Sequence, residues 1–217
     1  MSLFINFLIG SCLGSNAAWL AQSFASGSWS WRSHCNVCRQ ELSLLEEVPI
    51  ISYLCLHGRC RFCHSSIPTL LFFTELWGGL SFLPFGLNQR GVAFAIFTFF
   101  FLVLALMDLQ YEEIDLLLLS VPLLLAMWQS TSLAFLPVLL VLVALLAWFA
   151  KRGLLGSGDV YCLVVLGLFW QQAICHLLLL ACLFCLGAQL LLKSRRTGFV
   201  PYLYLAHLCL CYLLFWA

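Results

Sequence analysis

Apolar residues run through the chain in long uninterrupted blocks, separated by short polar turns rich in Gly, Ser and Asn. A helix needs about 20 apolar residues to cross ~30 Å of hydrocarbon. Eight blocks approach that length: 3–21, 68–87, 90–107, 114–129, 132–150, 159–170, 172–192 and 199–216. The pattern predicts an all-α fold, a polytopic membrane helix bundle of about eight transmembrane helices embedded in the lipid bilayer. The fourth and sixth blocks are short, so they require tilt, local thinning or burial among other helices.

Composition supports this interpretation and excludes two classes of protein. Of the 217 residues, 64% are hydrophobic and only 9% are charged, whereas soluble domains carry about 25% charged residues. A soluble globular domain is therefore excluded. The net charge of +1 provides no broad basic surface, so no nucleic-acid partner is expected. No Lys or Arg precedes the first block, and we expect a retained helix rather than a cleaved signal.

The basic residues indicate how the chain is oriented in the membrane. Nine of the ten Lys and Arg residues lie in the first, fifth and seventh loops between the blocks. Because cytoplasmic loops are enriched in Lys and Arg, the odd-numbered loops are predicted to be cytoplasmic and both termini to lie outside. The expected domains are a first transmembrane helix at 1–21, a cytoplasmic cysteine loop at 22–67 and a transmembrane core at 68–217.

Four of the twelve cysteines form two Cys-x-x-Cys pairs in the long first loop, Cys35 with Cys38 and Cys60 with Cys63. Two such pairs suit a tetrahedral zinc site, and four sulfur ligands leave no open position, so the zinc would be structural. Cytoplasmic thiols stay reduced, which favours a metal over two disulfides. Redox disulfides, unliganded thiols and His34 or His64 as substitute ligands remain the alternatives. The other eight cysteines are interpreted as small buried apolar residues.

Two aspartates lie at the ends of apolar blocks on the predicted cytoplasmic side. Asp108 follows the third block, and Asp159 opens the sixth within Gly156-Ser157-Gly158-Asp159. A carboxylate at a membrane boundary is often a topological stop, but one inside a span usually faces a polar cavity. The glycines Gly156 and Gly158 permit a tight bend and the close approach of a peptide. Glu75 is a third acidic residue at membrane depth, within the second block.

With these features in this order, the chain resembles the type IV prepilin leader peptidases, which are related through Gly-x-Gly-Asp to presenilin-like intramembrane aspartyl proteases. Four more segments carry the resemblance: Gly10-Ser11 through Asn16, Val48 to Tyr53, Ile67-Pro68 ahead of Glu75, and Phe199 to Tyr202. The stretch Ile114-Asp115-Leu116 lacks the proline that usually follows the first catalytic aspartate, and Ser23 stands near the place of a usual arginine. Asp115 is therefore the alternative to Asp108.

The resemblance implies an aspartic endopeptidase in the bacterial cytoplasmic (inner) membrane, with Asp108 and Asp159 catalytic and Gly156 and Gly158 supporting them. Its substrate would be a prepilin or pseudopilin, cleaved at the cytoplasmic face to remove the short basic leader. Two close carboxyl groups share one proton, so the ionised group activates water and the protonated group polarises the carbonyl. Some members also N-methylate the product with S-adenosylmethionine, and Glu75 is the candidate for that step.

Two other classes remain open. A non-enzymatic membrane scaffold would use the zinc loop to recruit a cytoplasmic partner, and its aspartates would be dispensable. A small transporter or channel would carry carboxylates near mid-span on several helices, but only Glu75 approaches such a position. A thiol oxidoreductase of an oxidising compartment is disfavoured because the charge pattern places the cysteines inside. The sequence does not indicate an oligomeric state.

Overall fold

The chain was analysed as a computed structural model, which describes residues 3–29, 32–35, 37–43, 45–86, 88–129, 136–153, 156–192 and 198–216. These residues form nine α-helices. The helices are α1 (Leu3–Ser26), α2 (Ile51–Cys55), α3 (Thr69–Phe82), α4 (Gln89–Tyr111), α5 (Leu116–Gln129), α6 (Leu136–Lys151), α7 (Ser157–Trp170), α8 (Ile174–Leu192) and α9 (Val200–Trp216).

The predicted all-α fold is confirmed. Helices α1 and α3 to α9 fall on the eight apolar blocks in order, and α1 runs five residues beyond its predicted end at residue 21. The short helix α2 lies inside the cysteine loop and was not predicted, since its five residues form no apolar block. Within the described residues, β-structure is limited to two isolated bridges in the same loop, His34 with Glu41 and Arg59 with Ser66.

Helix length and composition support the membrane assignment. Three stretches are long and apolar enough to cross a membrane: Leu3–Ser26, Gln89–Tyr111 and Ser157–Leu191. The last stretch contains two predicted spans, α7 and α8, and the chain breaks between them at Gln171, where φ is 45°. Helices such as α3 and α5, with 14 residues each, extend only about 21 Å, so they need tilt or a locally thinner bilayer to span it.

The chain divides into two compact units, Met1–Ala95 and Ile96–Ala217. In the first unit, α1 and α3 run antiparallel and their backbones nearly touch, since a Cβ on Gly78 would lie 2.5 Å from the Gly10 carbonyl oxygen. Such small-residue contacts let membrane helices pack without side chains between them. The predicted domain boundaries after residues 21 and 67 stay a prediction.

Helices α4, α7 and α9 supply most of the fully buried side chains of the second unit. Their fully buried side chains form its core: Phe97, Phe101, Val103 and Leu104 of α4, Leu163, Val165 and Leu166 of α7, and Leu203 and His207 of α9. The carboxyl end of α4 carries Asp108, and the amino end of α7 carries Asp159. This core therefore fixes the helix ends on which the predicted catalytic residues lie.

Candidate active site and metal centre

Asp108 lies in the last turn of α4 and is held by the first residue of α9. Its side chain is only 8% exposed. The backbone N–H of Val200 donates to Asp108 Oδ2 at 3.0 Å. That amide is one of the donors left unpaired at a helix start, and Pro201 after it has no N–H to offer. The carboxyl group thus receives both a hydrogen bond and the positive end of a helix dipole.

Gly198 and Val200 together form a cradle around the Asp108 carboxyl group. A Cβ at residue 198 would overlap the Asp108 carboxyl group, nearer to Oδ2 than real Cβ contacts come. The backbone at Gly198 and the amide of Val200 therefore touch the same carboxyl group. The absence of a side chain at Gly198 is what allows the approach.

Asp159 is the third residue of α7, which begins after Gly156. The Gly156 amide donates to the Asp159 carboxyl group. This is the reciprocal bond of a capping box, in which the third helical residue reaches back to the N-cap amide. The predicted motif glycine Gly156 thus has a direct role in orienting Asp159.

The structure brings Asp108 and Asp159 together within the second unit. Their carboxyl groups lie near enough to interact electrostatically, and the buried Cys162 lies one turn beyond Asp159 in the same helix. Asp108, Asp159 and Val200 lie at three helix ends that the charge pattern independently predicts to be cytoplasmic. Their convergence agrees with the prediction that the three ends share one side, and the cytoplasmic orientation of that side stays a prediction.

Asp115 has a different role. Its Oδ1 accepts a 2.7 Å hydrogen bond from the Leu117 amide, so it caps the start of α5. Within the described residues, the carboxyl group that interacts with Asp159 is therefore that of Asp108. The exposed acids Glu112 and Glu113 lie in the same short connection, and Glu112 takes a positive φ of 55° where α4 ends.

Gly158, the second motif glycine, makes room for a side chain from the segment before α5. A Cβ at residue 158 would lie 2.6 Å from Ile114 Cδ1. Ile114 belongs to the stretch that lacks the usual proline. Its side chain packs directly on the turn that presents Asp159.

Glu75 lies in the first unit and is 5% exposed. Its Oε1 accepts from the Ser15 hydroxyl at 3.2 Å and its Oε2 from the Ile50 amide at 2.7 Å. Ile50 has φ 64° and ψ −52°, and the Ile51 amide bonds the Pro49 carbonyl at 2.6 Å. This is a strained γ-turn, and Glu75 holds it through the central amide. The geometry supports an anchoring role, and a part in methylation stays a prediction.

The four predicted metal ligands form one cluster. The sulfur atoms of Cys35, Cys38, Cys60 and Cys63 all lie within 4.8 Å of one another. Cys35 and Cys63 are 3.7 Å apart, and Cys38 and Cys60 are 4.0 Å apart. Four Zn–S bonds of about 2.3 Å in a tetrahedron place sulfurs about 3.8 Å apart. The cluster therefore has the dimensions of a metal site.

The two cysteine pairs adopt the same backbone turn. The amide of the residue after each second cysteine bonds the carbonyl of the first cysteine, Arg39 to Cys35 at 2.9 Å and His64 to Cys60 at 3.0 Å. Arg39 and His64 take positive φ values of 59° and 57°, which are uncommon outside glycine. The repetition of an unfavourable conformation in both turns indicates that each is shaped to present two sulfurs to one ion.

Hydrogen bonds to some of these sulfurs favour the thiolate form. The amides of Cys38 and Val37 and the Ser65 hydroxyl lower the pKa of Cys35 to about 6. The Ser65 hydroxyl and amide lower the pKa of Cys63. The Gln40 amide lowers the pKa of Cys38, but desolvation and the other thiols outweigh it and raise that pKa to about 11. Negative charge in the metal-free cluster is therefore unevenly shared.

Sequence reasoning missed Gly198 and Ser65. Ser65 Oγ lies 3.0 Å from Cys63 Sγ and 3.6 Å from Cys35 Sγ, so one hydroxyl serves both cysteine pairs. Its place two residues after a Cys-x-x-Cys pair was the available signal, because amides and hydroxyls there reach the sulfur. Val200 was noted only within a family segment, with no role assigned to its amide.

Known proteins resemble this chain over most of its length. A family model described as the bacterial peptidase A24 N-terminal domain matches residues 7–88. A prepilin leader peptidase/N-methyltransferase of Pectobacterium carotovorum is 31% identical over 188 residues, covering 77% of this chain and 67% of the relative. One of Dickeya chrysanthemi is 33% identical over 182 residues, covering 73% and 62%.

A third relative, from Escherichia coli, bears the name "Type 4 prepilin-like proteins leader peptide-processing enzyme". It is 30% identical over 154 residues, which cover 63% of this chain and 57% of the relative. The chain thus spans between 57% and 67% of the length of these three relatives. No solved structure matches the chain.

Proposed function

This chain belongs to the type IV prepilin leader peptidase family, and we propose that it is an intramembrane aspartyl endopeptidase that cleaves the basic leader from prepilins or pseudopilins. The proposal is carried by the interaction of Asp108 with Asp159 at helix ends predicted to be cytoplasmic. The names of the relatives supply the substrate class.

The two carboxyl groups would act as one unit that holds a single proton, because two adjacent negative charges are costly. The ionised group removes a proton from water, whose oxygen attacks the carbonyl carbon of the scissile peptide. The protonated group donates to the carbonyl oxygen. When the tetrahedral intermediate collapses, the C–N bond breaks and the new amine takes a proton from the pair.

The substrate would approach with its apolar helix in the lipid and its basic leader at the cytoplasmic face of the inner membrane. The exposed carboxylates Glu112 and Glu113 lie in the connection that follows Asp108. They are suited to attract a positively charged leader by long-range electrostatics. Their role would be to attract the substrate, and they would take no part in the hydrolysis.

Zinc would stabilise the fold of the cysteine loop and would take no part in hydrolysis. Cys35, Cys38, Cys60 and Cys63 would hold it as a closed four-sulfur site, which stabilises a fold and leaves no position for substrate. N-methylation of the product with S-adenosylmethionine is a candidate second activity, which the names of two relatives include.

The test is processing of a prepilin with a short basic leader, followed by its mobility shift in membranes that carry each variant. We expect Asp108→Asn and Asp159→Asn to reduce processing by about 10²-fold or more, as loss of a general acid or base does. Asp115→Asn is the matched control, since asparagine also caps helices, and it should retain activity. Processing at the normal rate by either folded active-site variant would exclude the Asp108–Asp159 pair as the catalytic pair.

The same experiment separates the peptidase from a non-enzymatic zinc scaffold. A scaffold requires the cysteines and tolerates loss of either aspartate. If Asp115→Asn were inactive and Asp108→Asn active, the first catalytic position would belong to Asp115.

A further inference from the structure

A histidine with no assigned role lies in the core of the second unit. His207 of α9 is fully buried. The Trp170 indole N–H donates to its Nδ1 at 2.9 Å, and its Nε2 lies 2.9 Å from Thr98 Oγ1. Cys211 Sγ is 3.5 Å from Nε2. Each ring nitrogen thus has a partner on a different helix.

These partners fix the state of the imidazole. An indole N–H is only a donor, so Nδ1 must accept and carries no proton. The neutral ring then has its proton on Nε2, which donates to the Thr98 hydroxyl oxygen. One imidazole therefore joins α7 and α4 through α9.

The surroundings of His207 are apolar, so the loss of any one of these hydrogen bonds would be strongly destabilising. The rings of Phe97 and Phe169 stack with centroids 3.8 Å apart, and their centroids lie 5.3 and 6.1 Å from that of His207. In such an apolar site, an unpaired polar group costs far more than a bonded one gains. The three groups can keep their hydrogen bonds only while the three helices hold one relative position.

The same three helices carry the candidate active site. Asp108 is ten residues from Thr98 along α4, Asp159 is eleven residues from Trp170 along α7, and Val200 is seven residues from His207 along α9. At 1.5 Å per residue, the polar cluster lies about 10–16 Å along each helix from the catalytic end. Helices α4 and α9 are therefore bonded to each other at two points, at the Asp108 carboxyl group and at the imidazole, and α7 joins both of them at the imidazole.

We propose that His207, with Thr98 and Trp170, is a positioning cluster that sets the register of α4, α7 and α9 and so the geometry of the Asp108–Asp159 pair. The inference rests on the proposed function. Hydrolysis depends steeply on the placement of reacting groups, so a small helix displacement lowers turnover before it lowers folding.

Thr98→Val and Thr98→Ser test the proposal in the full-length protein in membranes. Valine keeps the shape of threonine without the hydroxyl, and serine keeps the hydroxyl without the methyl group. With a prepilin as substrate, we expect Thr98→Val to lower kcat at least about fivefold, because the buried Nε2–H of His207 loses its acceptor. KM should stay the same, since no substrate contact is lost. Thr98→Ser should restore kcat.

Thr74→Val is the matched control. Thr74 is likewise buried, but its hydroxyl donates to the Leu71 carbonyl of its own helix at 2.8 Å and joins no second helix. We expect its kcat to be unchanged. Equal thermal stabilities for the two valine variants with a lower kcat only for Thr98→Val would support positioning.

Normal kcat in Thr98→Val, or equal losses of kcat in Thr98→Val and Thr74→Val, would overturn the positioning role. Asp108→Asn in the same assay keeps the two proposals apart. If Asp108→Asn is inactive while Thr98→Val is normal, the peptidase stands and the positioning cluster fails. If Asp108→Asn is fully active, the assignment of Asp108 to the catalytic pair itself fails.

Discussion

The side chain of Ile114 occupies the space that a side chain on Gly158 would need, with 2.6 Å between Ile114 Cδ1 and the position of a Cβ at residue 158. The second glycine of Gly-x-Gly-Asp is thus explained by a contact within this chain. The residue it accommodates lies in the stretch without the usual proline. The turn before Asp159 and the segment after Asp108 therefore fit each other as a pair.

Gly158→Ala should lose prepilin processing, and Ile114→Ala should restore it in the double variant. The added methyl group must displace either Ile114 or the turn of Asp159, and displacement of a reacting group by about 1 Å costs about 10²-fold in rate. Removing the Ile114 side chain frees that space. The measurement is kcat for the two single variants and the double variant. If the double variant stays as inactive as Gly158→Ala, the contact is not what requires glycine.

Gly198→Ala should also lower activity, because its Cβ would overlap the Asp108 carboxyl group. The expected effect is a loss of kcat with the protein still folded, since the collision falls on a proposed catalytic group. Gly187→Ala is the control, because a Cβ there meets nothing within 4 Å, and alanine favours a helix over glycine. Equal activities of the two alanine variants would argue against the cradle.

Glu75→Ala should release the cysteine loop from the helices. The Ile50 amide then loses its acceptor, and we expect a loss of about 1–3 kcal/mol in the free energy of unfolding and faster trypsin cleavage in the loop. Glu75→Gln keeps an oxygen for that amide and should remain protected.

The glutamine variant also tests methylation. If Glu75 only anchors the loop, Glu75→Gln should methylate the product normally, as judged from the mass of the processed amino terminus. Loss of methylation with normal protection from trypsin would assign the carboxylate a chemical role instead.

Zinc affinity of the purified protein should rise with pH. Zinc binds thiolates, and metal-free Cys38, whose pKa is raised to about 11, must release its proton when the metal enters. Cys35, with its pKa lowered to about 6, also becomes protonated as pH falls through 6. Competition with a chelator at pH 6, 7 and 8 measures the trend. An affinity independent of pH over this range would contradict a thiolate site.

The elements of this fold were predictable from the sequence because each leaves a local signal. Long apolar blocks mark helices, paired Cys-x-x-Cys spacing marks the sulfur cluster, and Gly-x-Gly-Asp marks Asp159. The role of Val200 could not be predicted, because it contributes only its amide, which every residue except proline possesses. The partners of His207 were equally hidden, since Thr98 and His207 are 109 residues apart and no spacing rule connects them.

The bond between Val200 and Asp108 joins residues 92 positions apart, and this has a consequence for biosynthesis. A ribosome makes both aspartates well before it makes residues 198–200. A nascent chain that has inserted α4 and α7 therefore holds both carboxyl groups but lacks the amide that orients Asp108. If the proposed aspartyl pair cleaves prepilins, we expect cleavage to begin only after α9 has entered the membrane.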